Sequence, residues 1–130
     1  GIAAGTVSEF ALGSTTASAT LTGLDAPGAL AFDSSGNLYV ANSHSGSSTV
    51  TEFAAGSTTA SATLTGLSYP DALAFDSSGN LYVADRTIPG TVIKFSPGST
   101  TVSATYSAGL STNFALAFDS RGNLFVSNSR

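Results

Sequence analysis

The sequence predicts an all-β chain made of repeated four-stranded units, and three observations lead there. The segment GTVSEFALGSTTASATLTGLDAPGALAFDSSGNLYVAN (5–42) returns as STVTEFAAGSTTASATLTGLSYPDALAFDSSGNLYVAD (48–85), and more loosely as GTVIKFSPGSTTVSATYSAGLSTNFALAFDSRGNLFVSN (90–128). Asp33, Asp76 and Asp119 keep a constant spacing of 43 residues. Every apolar run is short and bounded by Gly, Pro, Ser or Asn, and none holds a helical period beyond a turn. A period in the low forties built from short strands is that of a propeller blade.

The second unit shows the four strands in order. Run A is Asp71-Ala-Leu-Ala-Phe-Asp76, and run B is Leu81-Tyr-Val-Ala84. Run C is Gly90-Thr-Val-Ile-Lys-Phe95, and run D is Val102-Ser-Ala-Thr-Tyr106. These runs are rich in Val, Thr, Phe, Tyr and Leu, the residues that fit a pleated sheet. Run A has Leu73 and Phe75 on one side and Ala72 and Ala74 on the other, which suits an inner strand sandwiched between neighbouring blades. The Thr/Ala/Ser alternation of ASATLTGL (17–24 and 60–67) suits an outer strand with one wet face. The A–B turns, DSSGN at 33–37 and 76–80 and DSRGN at 119–123, supply a glycine for positive φ and an Asp to accept backbone N–H groups. Each such turn has one carboxylate, against the several oxygens a calcium ion takes, so its reading is structural.

Composition narrows the partners. Only 9% of residues are charged, and the formal charge is −4. The four cations, Arg86, Lys94, Arg121 and Arg130, are scattered along the chain. Neither nucleic acid nor an anionic membrane is expected as a partner. With no cysteine, there is no disulfide framework and no thiol chemistry. No apolar run approaches the ~20 residues that span a bilayer as a helix.

The string PGALAFDSSGNLYVAN (27–42), repeated as PDALAFDSSGNLYVAD (70–85) and as NFALAFDSRGNLFVSN (113–128), resembles the NHL repeat. Asn113 stands where the first two copies have Pro. The resemblance implies a six-bladed propeller. It implies a platform for proteins, sugars or RNA, and some related propellers are metal-dependent hydrolases or lyases. RNA-binding members use basic surfaces, which this chain lacks. The catalytic relatives use acids, His or Tyr converging on the central channel, and no such cluster matches here residue by residue.

The order of the runs sets the assembly expected. The chain opens on runs C and D (5–24) and continues through complete blades at 27–67 and 70–110. It stops on runs A and B (114–128). The fold expected is a β-propeller with three circularly permuted blade repeats per chain. Three blades do not close a ring of the usual four to eight, so two copies are expected to close six as a homodimer.

Repeats that differ unevenly point to a ligand face. The A–B and C–D turns are nearly invariant, whereas the D–A connections (25–28, 68–71, 111–114) and B–C connections (43–47, 86–89) vary. In an up-and-down blade both variable classes share one end. His44, Tyr69, Asp71, Arg86 and Phe114 are the candidate ligand-binding residues there. The ligand classes expected are protein and glycan. A purely structural repeat and a propeller-type hydrolase or lyase are the alternatives. His44, the only histidine, has Ser and Gly as neighbours and no orienting acid, so no catalytic residue is assigned and no enzymatic activity is expected. No cofactor is expected. Asn42, Asp85 and Asn128 end run B at equivalent positions. They are candidates for a metal or sugar hydroxyls, although capping is the commoner work of Asn and Asp at a strand end.

Overall fold

The computed structural model describes residues 4–43, 48–87, 89–107, 110–111 and 113–128. Among them lie twelve strands and no helix. They are β1 (Ala4–Phe10), β2 (Ala17–Asp25), β3 (Pro27–Phe32), β4 (Leu38–Asn42), β5 (Thr49–Phe53) and β6 (Ala62–Leu64). The remainder are β7 (Pro70–Phe75), β8 (Leu81–Asp85), β9 (Thr91–Phe95), β10 (Ala104–Tyr106), β11 (Asn113–Phe118) and β12 (Leu124–Asn128). All pairing is antiparallel between chain neighbours. The sheets are β3-β4-β5-β6, β7-β8-β9-β10 and the two-stranded ribbons β1-β2 and β11-β12.

The turns close as their residues dictate. In each A–B turn the Asp Oδ1 accepts two backbone N–H groups, from Ser35 and Asn37 at 2.9 Å in the first copy. The Asn side chain then donates to the other carboxylate oxygen, again at 2.9 Å. Gly36 and Gly79 hold φ of 87° and 88°, the left-handed conformation the turn needs. Burial pushes the Asp33 and Asp76 carboxyls up, but these hydrogen bonds together outweigh it and hold both below their usual value.

The core lies between the sheets. Tyr39, Ala41, Val50 and Leu64 of one four-stranded sheet pack against Leu81, Val83, Ile93 and Phe95 of the next. Leu38, Val40 and Phe53 pack on Leu21 and Leu24 of the β1-β2 ribbon. The central strands β4 and β8 are buried at every residue. Run A is less enclosed than its two apolar faces suggest: β7 is mostly half-buried and β3 alternates half-buried with exposed. It forms the edge of each sheet, with a hydrogen-bonded neighbour on one side only.

The outer runs differ from expectation in length. The run expected over 102–106 pairs as a strand only over Ala104–Tyr106. The identical ASATLTGL sequence lies wholly within the nine-residue β2 but contributes only the three residues of β6 in the second copy. The partner decides this: β1 starts at Ala4, so Ala4 and Gly5 pair with Asp25 and Leu24. Strand β5 starts only at Thr49, and beyond β6 the Thr65 N–H turns outward to the Thr100 carbonyl of the next sheet.

Candidate functional site

The two ends of the sheets are chemically different. At one end the A–B and C–D turns meet, with the Ala55 N–H donating to Asn37 Oδ1 at 3.1 Å. At the other end the D–A and B–C connections are tied together. Arg86 N donates to the Tyr69 carbonyl at 2.8 Å, and Ser43 N donates to the Ala26 carbonyl at 3.2 Å. Ser43 Oγ also donates to the Pro70 carbonyl of the following sheet. Ala26, Ser43, Tyr69 and Arg86 therefore share one end, opposite Ser35, Ser78 and Arg121 in the invariant turns.

Three candidate residues converge there. Asp71 Oδ2 accepts Arg86 Nε at 2.6 Å, and the Arg86 guanidinium lies over the Tyr69 ring, 5.2 Å from its centroid. The Arg86 side chain is 43% exposed and that of Asp71 20%, so the pair sits at the water boundary. Tyr69 precedes β7, Asp71 lies in its first turn of pairing and Arg86 follows β8. The Pro70↔Asp85 register brings them together. An exposed ion pair of this kind stabilises the fold by at most about 1 kcal/mol, so its interest is chemical. His44 lies outside the described residues. Phe114 is in β11, near the same end because Asn113 pairs with Asn128.

Asn42, Asp85 and Asn128 work as latches on the preceding D–A connection. Asn42 Oδ1 accepts Asp25 N at 3.0 Å, and its Nδ2 donates to Thr51 Oγ1 at 2.8 Å and Thr49 Oγ1 at 3.2 Å. Asp85 accepts Ser68 N at 3.0 Å and Tyr69 N at 2.6 Å. Asn128 accepts Ser111 N at 3.0 Å. Asn42 and Asp85 are buried. Burial pushes the Asp85 carboxyl above its usual value, outweighing its two N–H bonds, and the nearby Asp71 charge acts in the same direction. Among the described residues no three His, Asp or Glu side chains gather to hold a metal ion. The latch role was legible as strand-end capping. The stacking of Arg86 on Tyr69 was not, because nothing in spacing aims a side chain across two loops.

No protein-family model matches the chain, and no curated protein matches it. The NHL resemblance therefore rests on its repeat motif alone. Among solved structures the chain is similar to a hydrazine synthase of Kuenenia stuttgartiensis, with a TM-score of 0.74 and 15% identity over 84% of this chain and 32% of that one. It is also similar to a gluconolactonase of Xanthomonas campestris, with a TM-score of 0.64 and 24% identity over 83% of this chain and 36% of that one. This chain thus spans about a third of each. The second likeness corrects the expectation of a chain without enzymatic activity, since an enzyme is built on the same architecture. The expectation leaned on the lack of a catalytic cluster legible in sequence. At these identities the likeness is one of fold, and the fold is β-propeller-like.

Proposed function

We propose that this chain supplies blades to a propeller of the hydrolase type, acting on small polyhydroxylated lactones. The observation that carries the reading is the Tyr69–Asp71–Arg86 cluster on the variable face of a fold similar to that of a gluconolactonase. Lactone hydrolysis needs a base for the attacking water and a cation where negative charge develops on the carbonyl oxygen. Asp71 has the carboxylate for the first and Arg86 the guanidinium for the second. Tyr69 offers a ring face to a sugar's C–H surface. The same stacked pair also favours a second reading, a glycan-binding face without turnover.

The test is acid release from a panel of aldonolactones, with binding followed in parallel by calorimetry. The expected result is turnover above spontaneous hydrolysis, reduced at least tenfold in Asp71→Asn and Arg86→Gln with melting temperatures near wild type. Binding without turnover supports the glycan reading. Neither turnover nor binding rejects both.

A further inference from the structure

The two end faces of the chain are the two halves of an interface that the chain builds twice within itself. In the first internal copy Tyr39 of β4 meets Phe75 of β7, ring centroids 4.9 Å apart and inclined at 63°. In the second, Tyr82 of β8 meets Phe118 of β11 at 5.0 Å and 65°. The third member of this series is split. Phe125 of β12 holds the position of Tyr82, and Phe32 of β3 holds that of Phe75, but they lie at opposite ends of the chain. Phe125 is 59% exposed where Tyr82 is 8%, and Phe32 is 64% exposed where Phe75 is half-buried.

The unpaired strand edges repeat the story. Among the described residues β12 has the place of β8 but no β9-like neighbour, and β1 has the place of β9 but no β8-like neighbour. Phe10 on β1 is 56% exposed, whereas its counterparts Phe53 and Phe95 are each 1% exposed. A groove of about 410 Å³ runs between β1 and β3, lined by Val7, Phe10, Leu30, Phe32 and Phe53. The β1-β2 ribbon already carries the blade register, with Val7↔Leu21 and Ser8↔Thr20 matching Val50↔Leu64 and Thr51↔Thr63.

We infer that a second copy of this chain docks head to tail, its β12 pairing with β1 and its Phe125 entering the groove against Phe32. The internal registers β4-β5 and β8-β9 set the pairing. Leu124 lies opposite Phe10, Phe125 opposite Glu9, Val126 opposite Ser8, Ser127 opposite Val7 and Asn128 opposite Thr6. Two such contacts close the ring, so each copy completes a four-stranded sheet for the other.

The latch residues give an independent argument for this occupant. Asn42 donates its amide N–H groups to the hydroxyls of Thr49 and Thr51 on the neighbouring strand. At the equivalent place in the next sheet Ile93 replaces Thr51, and the latch is Asp85, which has no N–H to satisfy. The third latch is Asn128. Among the described residues its Nδ2 reaches the Val126 carbonyl alone, at 3.4 Å. The proposed register sets it beside Thr6 and Ser8, restoring both hydroxyls. At the Thr51 position Asn thus goes with a hydroxyl and Asp with Ile, and Ser8 of a second copy supplies the hydroxyl there for Asn128.

The chain has no cysteine, so the register is readable by cross-linking. Ser8→Cys with Val126→Cys places two thiols directly opposite across the proposed strand pair. Ser8→Cys with Ser127→Cys shifts one residue, which turns the second thiol to the other face. With oxidised glutathione the first variant is expected to form a reducible covalent dimer on a denaturing gel, at least tenfold more than the second. Equal cross-linking of both, or none in the first while it melts cooperatively, overturns the register and the docking. The unsubstituted chain keeps the test independent of the variants' folding. Its melting temperature should rise with protein concentration, and a concentration-independent, cooperative melt overturns the proposal. Both readouts are made without substrate and do not depend on the lactone reading.

Discussion

Replacing Asn42 by Ala tests whether the strand-end polar residues hold the fold. Asn42 is 2% exposed and makes three hydrogen bonds, one to the Asp25 N–H and two to threonine hydroxyls. Truncation leaves the Asp25 N–H and the buried Thr51 hydroxyl without that partner and opens a small void. A buried polar group that loses its partner costs about 1–3 kcal/mol. The hydroxyl can rotate to recover part of its loss, so the expected total is about 2–4 kcal/mol. With ~2.1 cal/mol/K per residue of unfolding entropy, this lowers Tm by roughly 7–15 °C for the 130-residue chain. The assay is urea and thermal unfolding at fixed protein concentration, followed by circular dichroism. A loss under about 0.5 kcal/mol would refute the latch and reopen a ligand-binding role for Asn42, Asp85 and Asn128.

Two further predictions concern backbone and charge. Ala26 holds a φ of 53°, so Ala26→Gly should raise stability by about 0.5–1 kcal/mol, and a lower melting temperature would contradict the strain argument. The carboxyls of Asp33, Asp76 and Asp119 sit below their usual value, so their contribution is present above the unfolded pKa near 3.8 and lost as pH falls through the lowered folded values. Asp85 has the opposite sign: its folded pKa is raised, so its contribution is present below 3.8 and lost as pH rises through the folded value. Asp85→Asn should therefore gain relative to wild type as pH rises from about 4 to 7. A difference in Tm that stays flat across that range counts against the buried charge.

Strand order and sheet composition were legible because each repeat sets short apolar runs between Gly, Pro, Ser and Asn and marks its turns with Asp-x-x-Gly-Asn. What local pattern does not reveal is the partner. ASATLTGL makes a long strand beside β1 and a short one beside β5, where the Thr65 N–H bonds instead to the next sheet. Leu30 and Phe32 hold the places of Leu73 and Phe75 in the repeat, yet they are exposed where those two are half-buried. Of the five residues that loop variation singled out, His44 lies outside the described residues, and Tyr69, Asp71 and Arg86 meet at one end. Their ion pair and ring stack come from the Pro70↔Asp85 register, which is a property of the folded sheet. The expectation of no enzymatic activity was drawn from residues close in sequence, whereas a gluconolactonase is built on a similar fold.

The central claim, that the blades of one chain complete those of another, is tested most directly by mass in solution. Sedimentation equilibrium of the unsubstituted protein should give twice the 12.8 kDa chain mass, with Phe125→Glu reducing it. A folded species at 12.8 kDa would contradict the account, as would a mass of three chains.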